Sequence, residues 1–401
     1  MSMNSRVCVT GLGVVSSIGQ GKDAFWGHLV DGVSGITEVE AFDTKPFNVH
    51  RGGEIKDFEF EKFSTNKVKY PRCSQLAIAA TKLAIEDSNL QISKSDKVSV
   101  VLGTTLGETQ VIETIDSEWV LSEDLINKKL IMDYPTGNIA ENVLDFFGLS
   151  GTSLVIPNAC AAGNFAISYG YELIRSGQCD LVIAGGAEAM SKIAFTGFSR
   201  IFAIAPDMCR PFDLNRRGIM VGEGAGVIVL ESESRARERS ANIYCYVKGY
   251  GLSADAKSMV IPDEEGIFTA MKKALADAKV EPEEIDYICA HGTGTKANDI
   301  SEAKAISRIF QKKNTNSMPL VTSIKSMLGH TMGAASAIEA LTCALSIDTG
   351  FIPPTINLEK QDPECGISCV ANTAVKRDIR IVINNAFAFG GNNSCVVFSK
   401  E

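Results

Sequence analysis

Short Val/Ile-rich runs that end in glycine recur along the whole chain, and stretches with helical periodicity separate them. The first series includes VCVTGLG, VSVVLGTTLG and CDLVIAGGAE, and the second includes IYCYVKGYG, IDYICAHGTGT and IRIVINNAFAFGG. Between them, CSQLAIAATKLAIEDS, GIFTAMKKALADA and GAASAIEALTCALSI repeat apolar residues at the period of a helix. Continuous apolar strands between helices are typical of sheets that are covered on both faces, so the sequence predicts an α/β fold.

The two series of strands indicate two similar halves. A charged segment, ESESRARERS, follows the first series and is typical of a solvated helix face. We therefore place a boundary near residues 240–250, with one half over residues 1–250 and the other over residues 251–401.

Charge and cysteine usage argue against several classes of protein. The formal net charge of -9 disfavours a nucleic-acid surface, because phosphate binding depends on clustered Lys and Arg. The 11 cysteines include no C-x-x-C pair, so neither a disulfide framework nor a zinc site is indicated. No apolar run approaches the roughly 20 residues of a membrane helix, and the N-terminus lacks a signal sequence. We therefore expect a cytoplasmic protein without membrane contact.

One cysteine, Cys160 in IPNACAAGN, lies between a short apolar run and very small residues. A buried structural thiol is the simplest interpretation, because cysteine is among the commonest core residues. However, a helix that begins just after Cys160 would direct its free N–H groups at the sulfur and favour the thiolate. Ala161, Ala162 and Gly163 would let backbone and substrate approach closely, which a structural cysteine does not require. The pattern favours a nucleophile.

Two of the four histidines lie in predicted strand-to-helix loops. His291 opens HGTGT, and His330 lies in IKSMLGHTMGAASA. A cysteine with two histidines suits covalent acyl chemistry, in which the thiolate takes the acyl group and neutral imidazoles donate hydrogen bonds to a developing oxyanion. A Cys/His hydrolase would need only one imidazole. Neither histidine has a carboxylate or thiol at ligand spacing, so no metal site is expected.

These residues belong to a longer series of motifs. The series contains TGLGVVSSIG, NACAAG, AGGAEAM, RPFDLNRRGIMVGEGAG, AHGTGT, SIKSMLGHTMGAA, PPTINLE and NNAFAFGG. In this order the motifs resemble those of the β-ketoacyl-acyl carrier protein synthases of the elongating type, which include ketosynthases of type II polyketide systems. The resemblance implies a thiolase-like α/β fold, with two similar βαβ halves that form a five-layered α-β-α-β-α core.

The resemblance also implies a role for each motif residue. Cys160 would hold the acyl chain, while His291 and His330 would stabilise the enolate formed when malonyl thioester loses carbon dioxide. Lys325 and Glu302 would form a buried pair that orients these groups. The N–H groups of Cys160 and Phe389 would form an oxyanion hole, and Phe389 would gate the site. Thr293 and Thr295 would contact the phosphopantetheine arm. The implied substrate-binding residues are Thr293, Thr295, Phe387 and Leu106.

The implied reaction is a decarboxylative Claisen condensation of the cysteine-bound acyl chain with malonyl-acyl carrier protein, in a type II fatty-acid or polyketide pathway. Decarboxylation generates the carbanion in place, so the site needs only to stabilise an enolate and exclude water, and no cofactor or metal is expected. Expected partners are an acyl carrier protein with its phosphopantetheine arm, and a second subunit that makes a homodimer or a heterodimer with a related ketosynthase-like chain.

Three alternatives share the same fold. A thiolase needs a second cysteine in a glycine-rich C-terminal loop, whereas here Cys395 falls beyond FAFGGNN. An initiating synthase would have an asparagine where His330 stands. A non-catalytic chain-length partner usually lacks the nucleophile, which Cys160 supplies. Departures from the fatty-acid pattern are Ala161, Ala388 and a shortened segment over residues 198–210.

Carrier docking is expected to use local positive charge, because the chain as a whole is negative. We favour the first of two dense basic groups in the sequence as the docking edge. The first group is Lys62, Lys67, Lys69 and Arg72, and the second is Arg200, Arg210, Arg216 and Arg217.

Overall fold

The computed structural model describes residues 5–64, 68–92, 96–122, 127–310 and 318–401. Its elements follow the alternation of strands and helices that the sequence predicts. In chain order, the elements up to residue 238 are β1 (Val7–Ser16), β2 (Gly19–Gln20), α1 (Lys22–Val30), β3 (Thr37–Glu38), β4 (Arg51–Gly52), α2 (Arg72–Asp87), β5 (Ser99–Thr104), α3 (Thr109–Leu121), α4 (Asn138–Phe147), β6 (Ser153–Pro157), α5 (Ala162–Arg175), β7 (Leu181–Glu188), α6 (Lys192–Arg200), β8 (Gly224–Ser232) and α7 (Glu233–Glu238).

The second series of elements begins at residue 245. Its members are β9 (Cys245–Ala254), α8 (Glu264–Ala278), β10 (Tyr287–Cys289), α9 (Lys296–Phe310), β11 (Leu320–Thr322), α10 (Lys325–Leu328), α11 (Ala335–Thr349), β12 (Phe351–Ile352), β13 (Ser368–Cys369), β14 (Val375–Lys376), β15 (Ile381–Phe387) and β16 (Asn392–Ser399).

The main sheet contains one strand order twice. The order is β6-β5-β7-β8-β1 in the first series and β11-β10-β15-β16-β9 in the second, where β13 adds an outer strand. In each series the first three strands of this order are parallel, and the last two run antiparallel to their neighbours. The repeated order confirms the prediction of two similar halves.

The helices and the strands of the two halves form five layers. Helices α5 and α11 lie between the two halves, because each contacts strands from both. Helices α2 and α4 pack together on the outer face of the first half, and α8 and α9 pack together on the outer face of the second. This arrangement confirms the implied α-β-α-β-α core. The two halves also meet edge to edge, since β1 pairs with β9 through Val7, Cys8 and Val9.

Strand β9 runs across residue 250, where the sequence places a boundary. The division into residues 1–250 and 251–401 therefore stays a prediction. Within the described ranges, none of the helices combines the length and the apolar character that a membrane crossing requires.

A close contact between α5 and α11 depends on a glycine. A Cβ atom on Gly163 would lie 2.6 Å from the backbone nitrogen of Ala337 and 2.8 Å from Ser336 Oγ. The N–H of Asn164 donates to the same serine hydroxyl at 2.9 Å. Because α5 follows the Cys160 turn and α11 follows the His330 loop, this contact fixes the two loops relative to each other.

We predict that Gly163→Ala lowers the free energy of unfolding by about 1 to 3 kcal/mol, because the added methyl group overpacks this contact. Gly197→Ala is the matched control, since Gly197 also lies in a helix but a Cβ atom added there would meet nothing within 4 Å. The control should be neutral or stabilise by about 1 kcal/mol through helix propensity. Denaturant unfolding compares the two variants, and equal midpoints would contradict the prediction.

Candidate active site

Cys160 lies in the turn that joins β6 to α5, as the sequence predicts. A 3-10 turn spans Ala159–Ala161, and α5 begins at the next residue. Ala159 has a φ of 44°, a left-handed conformation that is uncommon outside glycine. Only 6% of Cys160 is exposed. The turn therefore holds the thiol inside the molecule, at the start of a helix.

The protonation state of the thiol differs from the one that the helix terminus suggests. Burial raises the pKa of Cys160 to about 12, against opposing contributions from Lys325 and from the N–H groups of Phe389 and of Cys160 itself. Desolvation thus outweighs the helix terminus, and the resting sulfur carries its proton. The two N–H groups that lower this pKa are the ones that the resemblance assigns to an oxyanion hole.

His330 contacts the sulfur directly. Its Nε2 lies 3.0 Å from Cys160 Sγ, and its Nδ1 accepts a hydrogen bond from the N–H of Met332 at 3.2 Å. Burial, followed by the positive charge of Lys325, holds the pKa of His330 well below its usual value. A neutral imidazole carries one proton, and the acceptor role of Nδ1 places that proton on Nε2. His330 is therefore a hydrogen-bond donor toward the sulfur.

His291 has the same arrangement. Its Nδ1 faces the Lys325 ammonium group at 3.4 Å, and an ammonium group can only donate. Burial, Lys325 and His330, in that order, hold the pKa of His291 well below its usual value. The two imidazole rings lie edge to face with centroids 5.4 Å apart. Both rings are thus neutral and both carry the proton on Nε2.

The prediction that Lys325 pairs with Glu302 is wrong. Lys325 instead pairs with Glu339, which lies within α11, and both side chains are almost completely buried. Glu302 accepts hydrogen bonds from the N–H groups of His291 at 2.9 Å and Gly292 at 2.8 Å. The sequence did hold a signal for Glu339, which is a lone carboxylate in the apolar stretch GAASAIEALTCALSI.

A narrow cavity of about 30 Å³ leads from the surface to the sulfur. Thr293 and Thr295 lie in its wall with their hydroxyl groups 2.9 Å apart, and their contact with a phosphopantetheine arm stays a prediction. Phe389 is 38% exposed and packs against Phe198 with ring centroids 5.8 Å apart. The lining residues are Cys160, Phe198, Ala203, Ile219, Val260, Pro262, His291, Thr293, Thr295, Asn298, His330, Phe387 and Phe389.

The site offers one sulfur and two ring nitrogens within 4.8 Å of one another, a spacing that a metal ion could use. A metal-binding histidine normally donates its other ring N–H to a carboxylate or a carbonyl group. Here the second ring nitrogen of each histidine faces a donor instead, either the Met332 N–H or the Lys325 ammonium group. This donor set opposes metal binding and suits imidazoles that donate hydrogen bonds.

Two residues named in the sequence analysis lie outside the cavity wall. Leu106 packs beside the cluster around Phe195, and its N–H donates to Glu188, a buried carboxylate within the motif AGGAEAM to which the sequence analysis assigned no role. Cys395 is fully buried in β16. Cys395 does not line the cavity that holds Cys160, so it is not placed to act as the base of a thiolase reaction.

The expected basic docking groups contain structural arginines. Arg72 forms an ion pair at 2.8 Å with the buried carboxylate of Glu223, which is a correction to its assignment as a docking residue. In the second basic group, which the sequence analysis did not favour, Arg216 is fully buried between Asp299 and Asp362. Other members are exposed or half-buried. These members are Lys62, Lys69, Arg200, Arg210 and Arg217. Lys62 pairs with Glu59, and Arg210 pairs with Asp207 and Glu359. Lys67 lies outside the described residues.

Known proteins resemble this chain over its whole length. The chain is 36% identical to 3-oxoacyl-[acyl-carrier-protein] synthase 2 of Staphylococcus aureus (strain COL), over 100% of this chain and 99% of that protein. It is also 36% identical to nodulation protein E of Rhizobium sp. (strain N33), over 99% of each.

Solved structures share the fold closely. The ishigamide ketosynthase/chain length factor superposes with a TM-score of 0.96 and 40% identity, over 99% of this chain and 100% of the other. A type II PKS acyl-carrier protein in complex with its ketosynthase bound to the hexaketide gives a TM-score of 0.92 and 29% identity, over 99% and 100%.

Family models cover most of the chain. The model of the N-terminal domain of β-ketoacyl synthases matches residues 4–236, and that of the C-terminal domain matches residues 244–359. With the cysteine and the two donor histidines in one buried site, the chain therefore belongs to the β-ketoacyl synthase family of condensing acyltransferases.

Proposed function

We propose that this chain joins an acyl chain held on Cys160 to malonyl-acyl carrier protein with loss of carbon dioxide, in a type II fatty-acid or polyketide pathway. The observation that carries the assignment of roles is the orientation of the two imidazoles. Each Nδ1 faces a donor, so His291 and His330 both present Nε2–H beside a cysteine sulfur. A pair of fixed donors is what an enolate oxygen requires.

The first half-reaction loads the enzyme. Cys160 Sγ attacks the carbonyl carbon of an acyl thioester, the bond to the carrier sulfur breaks, and the thiol proton passes to the leaving thiol. The N–H groups of Cys160 and Phe389 lie close enough to the sulfur to lower its pKa. They are therefore placed to donate to the oxyanion of the tetrahedral intermediate.

The second half-reaction forms the carbon–carbon bond. The malonyl carboxylate leaves as carbon dioxide, and its electron pair forms an enolate whose oxygen accepts from the Nε2–H groups of His291 and His330. The enolate carbon attacks the Cys160 thioester, and the sulfur leaves as a thiolate that regains a proton. Lys325 and its partner Glu339 keep the imidazoles neutral and oriented throughout.

The proposed partners follow from the site and from the relatives. An acyl carrier protein would deliver its phosphopantetheine arm past Thr293 and Thr295. A ketosynthase of the same fold is known in complex with its acyl-carrier protein, which supports a carrier protein as the partner. Helix α3 exposes Trp119, Val120 and Leu121, with Met132 also exposed nearby in sequence. Large exposed apolar patches mark protein interfaces. This patch supports a dimer with an identical or related subunit.

We place the protein in the cytoplasm, where this carrier-linked chemistry would occur.

We predict that Cys160→Ala abolishes acyl loading and condensation without unfolding the chain, because the substitution removes only one buried sulfur. Mass spectrometry of the intact protein, incubated with a panel of acyl carrier proteins, measures loading, and thermal unfolding measures stability. Retained condensation would contradict the assignment. Loss of activity together with unfolding would restore the view that Cys160 is a structural thiol.

We predict that His291→Ala and His330→Ala each reduce carbon dioxide release from malonyl-acyl carrier protein by about 10²-fold or more, since each removes one enolate donor. Loading of Cys160 should fall less, and less in His291→Ala than in His330→Ala, because only His330 contacts the sulfur. Release of labelled carbon dioxide measures the effect. A variant that decarboxylates at the normal rate would remove that histidine from the site.

We predict that the double variant Lys325→Met/Glu339→Gln raises the pKa of both imidazoles. The positive charge of Lys325 lowers both values, so its removal makes protonation easier and moves titration to higher pH. Both pKa values should remain below the usual value, because burial is the larger cause and is retained. Titration of ¹⁵N-labelled histidine by NMR measures the shift.

The single variant Lys325→Met is the control for this prediction. It leaves the Glu339 carboxylate buried without its cation, which should cost about 3 to 5 kcal/mol of stability. The double variant should cost much less. Unchanged imidazole titration in the double variant would show that Lys325 does not control the histidines.

A further inference from the structure

A fully buried carboxylate, Glu188, lies at the end of β7 and makes no ion pair within the described ranges. Its oxygens accept hydrogen bonds from the N–H groups of Thr105 at 2.6 Å, Leu106 at 3.0 Å and Gly333 at 3.1 Å. The hydroxyl group of Thr104 lies at 3.4 Å. A buried charge that is stabilised only by peptide dipoles is costly to maintain, so the carboxylate depends on these donors.

The donors belong to two different loops. Thr105 and Leu106 follow β5, whereas Gly333 lies three residues after His330. These loops press against each other, because a Cβ atom on Gly333 would lie 2.4 Å from backbone atoms of Thr104. Glu188 bridges them from a third position, the end of β7, and so joins the loop of His330 to the rigid sheet of the first half.

A short chain of hydrogen bonds connects Glu188 to the His330 ring. The carboxylate holds the Gly333 N–H, and the preceding N–H, that of Met332, donates to His330 Nδ1. Met332 has a φ of 47°, which a side chain of its size adopts only under constraint. The anchored Gly333 supplies that constraint. The direction of the Met332 N–H, and with it the position of the imidazole proton, therefore depends on the neighbouring anchor.

We infer that Glu188 is a positioning residue of the condensing site, whose carboxylate holds the 331–333 turn so that His330 presents Nε2–H to the substrate. The inference rests on the proposed function, since it gives that reaction a further required group. Glu188 does not line the cavity, and its hydrogen bonds reach the site through the His330 loop. Its charge also raises the pKa of the Cys160 thiol. Burial raises the pKa of Glu188 to about 7, although its backbone hydrogen bonds oppose this rise. The donors thus offset part of the cost of burying the carboxylate.

The test is Glu188→Gln, with Glu108→Gln as the matched control. Glu108 is also buried, and it too accepts from two backbone N–H groups, those of Cys73 and Ser74, and from a hydroxyl group. Burial raises the pKa of Glu108 to about 7 as well. Its donors belong to α2 and not to the His330 loop. A glutamine at either position keeps the shape but turns an amide N–H₂ toward N–H donors.

We expect Glu188→Gln to lower carbon dioxide release from malonyl-acyl carrier protein by about tenfold to a hundredfold, the range for a misplaced catalytic group. Loading of Cys160 should not fall, because the N–H groups that Glu188 holds lie outside the thiol turn. Removal of the Glu188 charge also removes one cause of the raised thiol pKa. Glu108→Gln should lose similar thermal stability but keep carbon dioxide release.

The chain has only four histidines, so ¹⁵N-labelled histidine spectra can resolve the His330 ring. The ring should leave the pure Nε2–H form in Glu188→Gln only.

Several outcomes would overturn the inference. They are normal decarboxylation in Glu188→Gln, a parallel fall in loading and decarboxylation, or an unchanged His330 tautomer. If Glu188→Gln does not fold, Glu188→Asp replaces it, and retained tautomer and rate with a carboxylate one methylene shorter would also count against a positioning role. The proposed function fails separately, if the unaltered protein releases no carbon dioxide from malonyl-acyl carrier protein.

Discussion

The site depends on two hydrogen-bond donors that face the Nδ1 atoms of its histidines. The Met332 N–H and the Lys325 ammonium group occupy these positions. Because the imidazoles are neutral, each donor sends the remaining proton to Nε2, where it points at the reacting atoms. The same two contacts oppose metal binding and prevent either histidine from acting as a base through Nδ1. One constraint thus selects decarboxylative condensation from the reactions that a cysteine and two histidines can perform.

Maintaining that constraint requires buried charge. Lys325 lowers the pKa of both histidines, and its own charge is balanced by Glu339 from the helix that follows the His330 loop. Glu302 accepts hydrogen bonds from backbone N–H groups of the His291 loop, and Glu188 accepts one from the His330 loop. In a low-dielectric interior such hydrogen bonds and ion pairs are stronger than in water, so a few of them can hold a loop. The core of the two stacked halves buries all four of these charged side chains, so their few contacts act in a low-dielectric setting.

Sequence reasoning predicted the parts of this arrangement that have a local pattern. Strand and helix periodicity indicated the repeated halves, and small residues marked Cys160. The pairing of Lys325 with Glu339 had no such pattern, because two residues 14 positions apart meet only after α11 packs back on its loop. Arg72 and Arg216 were assigned to basic surface groups because burial is set by tertiary contacts, which a local pattern does not show. The thiol pKa was misjudged for the same reason, since a helix terminus is visible in sequence and desolvation is not.

Ala388, the residue of FAFGG that departs from the fatty-acid pattern, does not strain its loop. It is buried with its N–H donating to the Asn392 carbonyl, and it does not have a positive φ. The left-handed positions are Gly390 and Gly391, with φ of 83° and 78°. Phe389, which comes just before them, lines the cavity and packs against Phe198. The two glycines therefore supply the left-handed backbone that this loop needs, while Ala388 anchors its end, and movement of Phe389 stays a prediction.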